Sequence, residues 1–189
     1  MIADRARLAL CLFAAALVVT SCSGADRPAI GGPFHLIDQN GRPRDESMLK
    51  GKWSAVFFGY TFCPDVCPTT LQALAEAETR LGPQASRLQV VFVTVDPARD
   101  TSAQLKAYLS SAAFPKGVVG LTGAPAEVAA TAKAYKVFYQ TQGAGRDYTV
   151  EHSSAVYLMD PKGRFAQALT FDMAPAEMAK QIAAAMQQG

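Results

Sequence analysis

Apolar residues in this chain fall into short unbroken runs separated by longer amphipathic stretches. Ala55–Tyr60 is a continuous apolar run and Leu88–Val95 a mostly apolar one rich in β-branched residues, the pattern of central strands buried on both faces. Phe34–Ile37, entering the turn Asp38-Gln39-Asn40-Gly41, and Val118–Leu121 read as shorter strands. Ala155–Met159, the turn Asp160-Pro161-Lys162-Gly163 and Phe165–Phe171 read as a hairpin. Two short β segments, Val137–Gln140 and Tyr148–Val150, flank a glycine-bearing loop over Gln142–Asp147. Helical periodicity covers Thr69–Leu81, stopped by Gly82-Pro83, and continues in Ser102–Ser111, Ala126–Tyr135 behind Pro125, and Pro175–Gln188.

Strands alternating with helices, then a terminal hairpin and helix, predict an α/β sandwich of thioredoxin type. Its central mixed β-sheet is flanked by helices and carries an extra N-terminal β segment. No internal repeat or second domain boundary is visible, and 189 residues suffice for one core.

The N-terminus follows other rules. Arg5 and Arg7 precede a 12-residue apolar run, Leu8–Val19, too short to span a bilayer and suited to the core of a signal peptide. Val19-Thr20-Ser21-Cys22 resembles a bacterial lipobox, which implies cleavage before Cys22 and lipidation of its thiol. The expected organisation is a lipoprotein-type signal at 1–21, a lipidated cysteine and flexible tether at 22–32, and the folded domain at 33–189. The chain is then exported and anchored on the periplasmic face of a membrane. A net charge of +2, with no Lys/Arg run, is too small to argue for a nucleic-acid partner, and none is expected.

Candidate chemistry sits between the first central strand and the following helix. In Cys63-Pro64-Asp65-Val66-Cys67-Pro68, three residues separate the sulfurs where thioredoxin-type exchange motifs have two. The thiols lie one helical turn apart, close enough for a disulfide and well set to hold a soft metal ion. So short a bridge constrains the unfolded chain little, which argues against a purely structural disulfide. A helix N-terminus beside Cys63 favours thiolate, and this serves redox exchange and metal binding equally.

The third candidate is His152, just before the strand Ala155–Met159, in a loop that could converge on the cysteines. Two thiolates and an imidazole suit copper as Cu(I) or Cu(II); a solvated or hydrogen-bonded histidine is the plainer alternative. His35 has no comparable context and reads as structural. Asp65 either tunes the site or caps the turn. Asp96, Arg99 and Asp100 read as a loop-ordering charge cluster, and Met159, Met173 and Met178 as core residues.

Three blocks carry a family resemblance: Phe57–Leu71 around the cysteines, Phe92–Thr101, and Glu151–Asp160 around the histidine. Together, in this order, they resemble the Sco/SenC family over residues 30–185. The resemblance implies a membrane-tethered, thioredoxin-fold copper protein that helps assemble the copper A centre of cytochrome c oxidase. It maps the copper ligands onto Cys63, Cys67 and His152, with a Cys63–Cys67 disulfide as the oxidised form and Asp65 beside the ligands. The implied partners are the copper A-bearing oxidase subunit, another periplasmic copper chaperone and a thioredoxin-like reductant. Phe62 stands where many members have histidine, Glu151 where aspartate is common, and a lipid anchor where many have a transmembrane helix. The competing functions are a thiol–disulfide oxidoreductase acting on an apo-oxidase subunit or other exported copper proteins, a peroxidase-like thiol enzyme, and a structural lipoprotein.

Overall fold

The computed structural model describes residues 30–188. The signal segment, Cys22 and all but the end of the tether lie outside the described residues. Nine strands and four α-helices follow in order: β1 (His35–Asp38), β2 (Pro43–Asp45), β3 (Trp53–Gly59), α1 (Val66–Leu81), β4 (Leu88–Thr94), α2 (Ser102–Leu109), β5 (Val119–Thr122), α3 (Pro125–Ala134), β6 (Tyr139–Gln142), β7 (Thr149–His152), β8 (Val156–Met159), β9 (Phe165–Leu169) and α4 (Pro175–Gln188). Seven strands form one mixed sheet in the order β2-β1-β5-β4-β3-β8-β9, while β6 and β7 form a separate ribbon.

Parallel pairing joins β3 to β4 from Trp53 opposite Leu88 to Gly59 opposite Thr94, and β4 to β5. All seven residues of β3 are buried, as its unbroken apolar run requires. Phe57, Phe92 and Gly120 occupy neighbouring positions across the sheet and share one face. Helices α1 and α2 close on this face, and α4 packs along α1. On the opposite face Phe58 meets Tyr135 and Tyr157, with ring centroids 5.2 and 6.2 Å away. Met159 and Met178 are fully buried and Met173 packs against the core, as their apolar neighbours suggested.

Several elements differ from the sequence reading. Helix α1 starts at Val66, three residues before the expected Thr69, because Pro68 falls in its first turn, where a backbone N–H has no intrahelical partner to lose. The edge strand β2 and a short 3-10 turn, Glu46–Leu49, were not expected, since neither carries an apolar period. In the ribbon, β7 runs on to His152, so the histidine closes a strand and does not sit in a loop.

Glycine is required at the end of β3 for space. A Cβ at Gly59 would lie 2.7 Å from Cys67 Sγ and 2.9 Å from Phe92 Cε2, in a packed core. Gly59→Ala should therefore destabilise the domain by about 1–3 kcal/mol through overpacking, measured by urea denaturation with an unchanged slope. An unaltered midpoint would show that Cys67 is free to move at no cost.

Candidate metal centre

Cys63 lies in the turn after β3, and Cys67 in the first turn of α1. The turn is closed by the Cys63 N–H donating to the Tyr60 carbonyl at 3.2 Å. It is tied down further back, where the buried Asp100 carboxylate accepts from the Thr61 N–H (3.0 Å), the Thr61 hydroxyl (2.7 Å) and the Thr94 hydroxyl (2.7 Å). Cys63 and Cys67 are not joined in a disulfide; Cys63 is half-buried and Cys67 buried.

The antiparallel strand β8 brings in the third residue. Val156 at its start pairs with Phe57 near the end of β3, so the chain preceding β8 arrives at the edge where the cysteine turn begins. His152 stands there against two rings, edge-on to Tyr60 at 5.9 Å and to Phe57 at 6.3 Å between centroids. Its Nδ1 lies 2.9 Å from the Ser153 carbonyl oxygen. A carbonyl only accepts, so Nδ1 carries the proton and donates, which leaves the lone pair on Nε2. Nε2 lies 3.5 Å from Cys67 Sγ. One ligand atom from each of Cys63, Cys67 and His152 lies within 4.8 Å of the others. Trigonal ligation with bonds of about 2.0–2.3 Å separates such donors by about 3.8–4.0 Å, so the three fit one ion with little movement.

The two thiols are electrostatically unequal. Cys63 is lowered to about 4, first by the hydrogen bond from the Cys67 thiol and then, against the opposing effect of burial, by the Asp65 and Cys67 backbone N–H groups. The Cys67 N–H at the start of α1 donates to Cys63 Sγ at 3.4 Å, so the sulfur occupies the position of an anionic helix cap. Cys67 is pushed up, because its proton is held by the Cys63 thiolate and because burial disfavours a second negative charge. The pair therefore holds one proton, on Cys67.

Asp65 is exposed and precedes α1 as its cap residue, but its side chain makes no capping bond to the backbone. Its carboxylate accepts from the Thr69 hydroxyl at 3.3 Å, and its backbone N–H assists the Cys63 thiolate. His35 is exposed on β1, away from these residues. Asp96, Arg99 and Asp100 do order a loop, as expected: Arg99 pairs with Asp96, while Asp100 anchors Thr61. Tyr148 reads in the sequence only as the start of a short β segment, since a lone tyrosine between Asp147 and Thr149 carries no site motif. Its hydroxyl donates to Asp96 at 2.7 Å, and its ring lies against Arg99.

Comparison with known proteins finds similarity in both sequence and fold. The family model described as SCO1/SenC matches residues 23–187. The mitochondrial protein SCO1 of Saccharomyces cerevisiae is 44% identical over 150 residues, covering 77% of this chain and 50% of that protein. The chain thus spans about half the length of this relative. Among solved structures, copper-bound ScoI of Bradyrhizobium japonicum is 43% identical with a TM-score of 0.75, covering 82% of this chain and 99% of that one. Copper-bound ScoI of Arabidopsis thaliana is 36% identical with a TM-score of 0.80, covering 85% and 100%. The sandwich is thioredoxin-like, and the chain belongs to the SCO1/SenC family.

Proposed function

We propose that this protein is a copper metallochaperone that binds one copper ion through Cys63, Cys67 and His152. It delivers that ion to the copper A centre of cytochrome c oxidase during assembly, with the copper A-bearing subunit as its acceptor. The observation that carries the reading is the convergence of two sulfurs and a ring nitrogen within 4.8 Å, from segments 85 residues apart in sequence. Soft sulfur retains Cu(I), and the imidazole extends the site to Cu(II). Among the described residues no fourth histidine, cysteine or carboxylate joins the cluster, whereas a structural zinc site needs four ligands. Half-exposed Cys63 offers the edge at which an acceptor's ligands could replace the protein's own by stepwise exchange.

The lipobox-like Val19-Thr20-Ser21-Cys22 supports export and a lipid anchor at Cys22, so that the domain works on the periplasmic face. Among the described residues no helix is long and apolar enough to cross a membrane. Another periplasmic copper chaperone would serve as donor, and a thioredoxin-like dithiol would keep the cysteines reduced.

The unequal thiols favour a second reading, reduction of a disulfide in the acceptor. The Cys63 thiolate attacks one target sulfur and releases the other as a thiolate. Cys67 gives its proton to the released target thiolate and attacks Cys63 Sγ, which frees the second target sulfur as a thiolate and leaves Cys63 and Cys67 joined in a disulfide. Two electrons pass to the target, and the external dithiol restores the protein.

Titrating the reduced domain with Cu(I) against a competing chelator should show one ion bound. His152→Ala should weaken it by about 10- to 100-fold or more. If that variant bound Cu(I) as tightly as the parent, the histidine would not be a ligand.

Proton release is the second check. A thiolate at Cys63 has no proton to give above its pKa of about 4, whereas Cys67 keeps its proton until metal displaces it. Cu(I) binding in weak buffer at pH 7 should release about one proton per ion. Alkylation of Cys63 by iodoacetamide should hold its rate as pH falls to 5 and lose it through about pH 4. Release of two protons would mean that both cysteines are ordinary thiols.

A further inference from the structure

The β6–β7 ribbon that carries His152 has no ladder to the seven-stranded sheet. A two-stranded ribbon is marginal on its own, so its position depends on what fastens it to the domain. At its base the Ser153 N–H donates to the Phe138 carbonyl at 2.9 Å, and the Phe138 N–H donates to the Ser153 hydroxyl at 3.1 Å. These bonds close the ribbon on itself; they do not join it to the cysteine turn.

Val150 anchors the ribbon in the core and the His152 ring packs on Tyr60 and Phe57; Arg99, which belongs to neither segment, adds a further connection between the ribbon and the cysteine turn. Its Nε pairs with Asp96. Its Nη1 donates to the carbonyls of Tyr148 at 2.9 Å and Arg146 at 3.3 Å. The guanidinium carbon lies 3.6 Å from the centre of the Tyr148 ring, 4.7 Å from Phe62 and 5.7 Å from Tyr60. Phe62 immediately precedes Cys63, and Tyr148 stands four residues before His152. The Tyr148 hydroxyl closes the unit by donating to Asp96 at 2.7 Å. The Arg99 side chain is only 15% exposed, and its Nη2 is buried without a hydrogen-bond partner. Stacking on aromatic faces therefore compensates part of the cation's removal from water.

We propose that Arg99 is a positioning residue: it clamps the histidine-bearing ribbon against the cysteine turn and so keeps His152 within reach of both thiols. It touches no ligand atom and acts through Phe62 and Tyr148. Lysine cannot substitute fully, because a point charge does not stack flat while donating in a fixed fork. The consequence for the metal rests on the copper site proposed above; the clamp itself is a property of the metal-free protein.

Two measurements separate these. In the reduced metal-free protein, Arg99→Met should speed amide hydrogen exchange in Thr149–His152 by about 5- to 30-fold, the factor for losing a desolvated cation–π contact. Arg99→Lys should fall between, and exchange in β3 and β4 should not change. Tyr148→Ala removes the ring and leaves the Arg99–Asp96 pair; it should speed the same amides and serves if Arg99→Met does not fold. Unchanged exchange in the ribbon would overturn the clamp. In the Cu(I) competition, Arg99→Met should cost about 10- to 100-fold in affinity. In a His152→Ala background it should cost no more than about twofold. An equal loss in both backgrounds would overturn the proposal, since Arg99 would then act on the cysteines or on the whole fold. If His152→Ala and the parent bind copper alike, the copper reading fails, and the exchange data still decide the clamp.

Discussion

Strand β8 runs antiparallel to β3, with Val156 opposite Phe57, and the site exists because of that pairing. Reversing direction puts the start of β8 beside the end of β3. The residues just before β8 must then meet the residues just after β3. Cys67 and His152, 85 residues apart along the chain, become neighbours together with Cys63 without any loop having to cross the sheet. The buried aromatic residues around this point, Phe57 and Tyr60, fill the space behind the imidazole and limit its orientation. The Ser153 carbonyl selects the tautomer, so Nε2 faces sulfur with its lone pair. A single strand direction thus leads to the ligand set.

Within that frame, the spacing of the cysteines gives them different tasks. Cys67 lies inside the first turn of α1, buried against Gly59 and Phe92, and keeps its proton. Cys63 lies ahead of the helix, half-exposed, and is held as thiolate by the helix N-terminal amide and the neighbouring thiol. A metal entering the proposed site would meet an anion already formed and displace one proton. A disulfide substrate meets a ready nucleophile with a protonated partner behind it. One arrangement suits both chemistries, and the His152 nitrogen offers a donor that redox exchange does not need.

Much of the fold was legible in the residues. The apolar runs 55–60 and 88–95 are the paired central strands, and the four helices fall where periodicity and capping put them. The site was legible too, as residue types: two soft sulfurs and one imidazole. The route by which His152 arrives was not. A parallel sheet was the simplest source of converging loops, but the local pattern of Ala155–Met159 is equally apolar in either direction and cannot reveal that β8 is antiparallel. Strand β2 and the following 3-10 turn were illegible for a related reason: an exposed edge buries too little to leave a period. The Arg99 clamp was visible only as charge. Its partners Phe62 and Tyr148 come from two other segments, and no local pattern announces a stack assembled from three.

The central claim is that His152 completes a three-donor copper site with Cys63 and Cys67. X-ray absorption at the copper edge, on the reduced protein loaded with one equivalent of Cu(I), reads the donor shell directly. The account predicts two sulfur neighbours and one nitrogen neighbour, the nitrogen being lost in His152→Ala while both sulfurs remain. A shell of sulfur alone in the unaltered protein, or a nitrogen that survives His152→Ala, would contradict it.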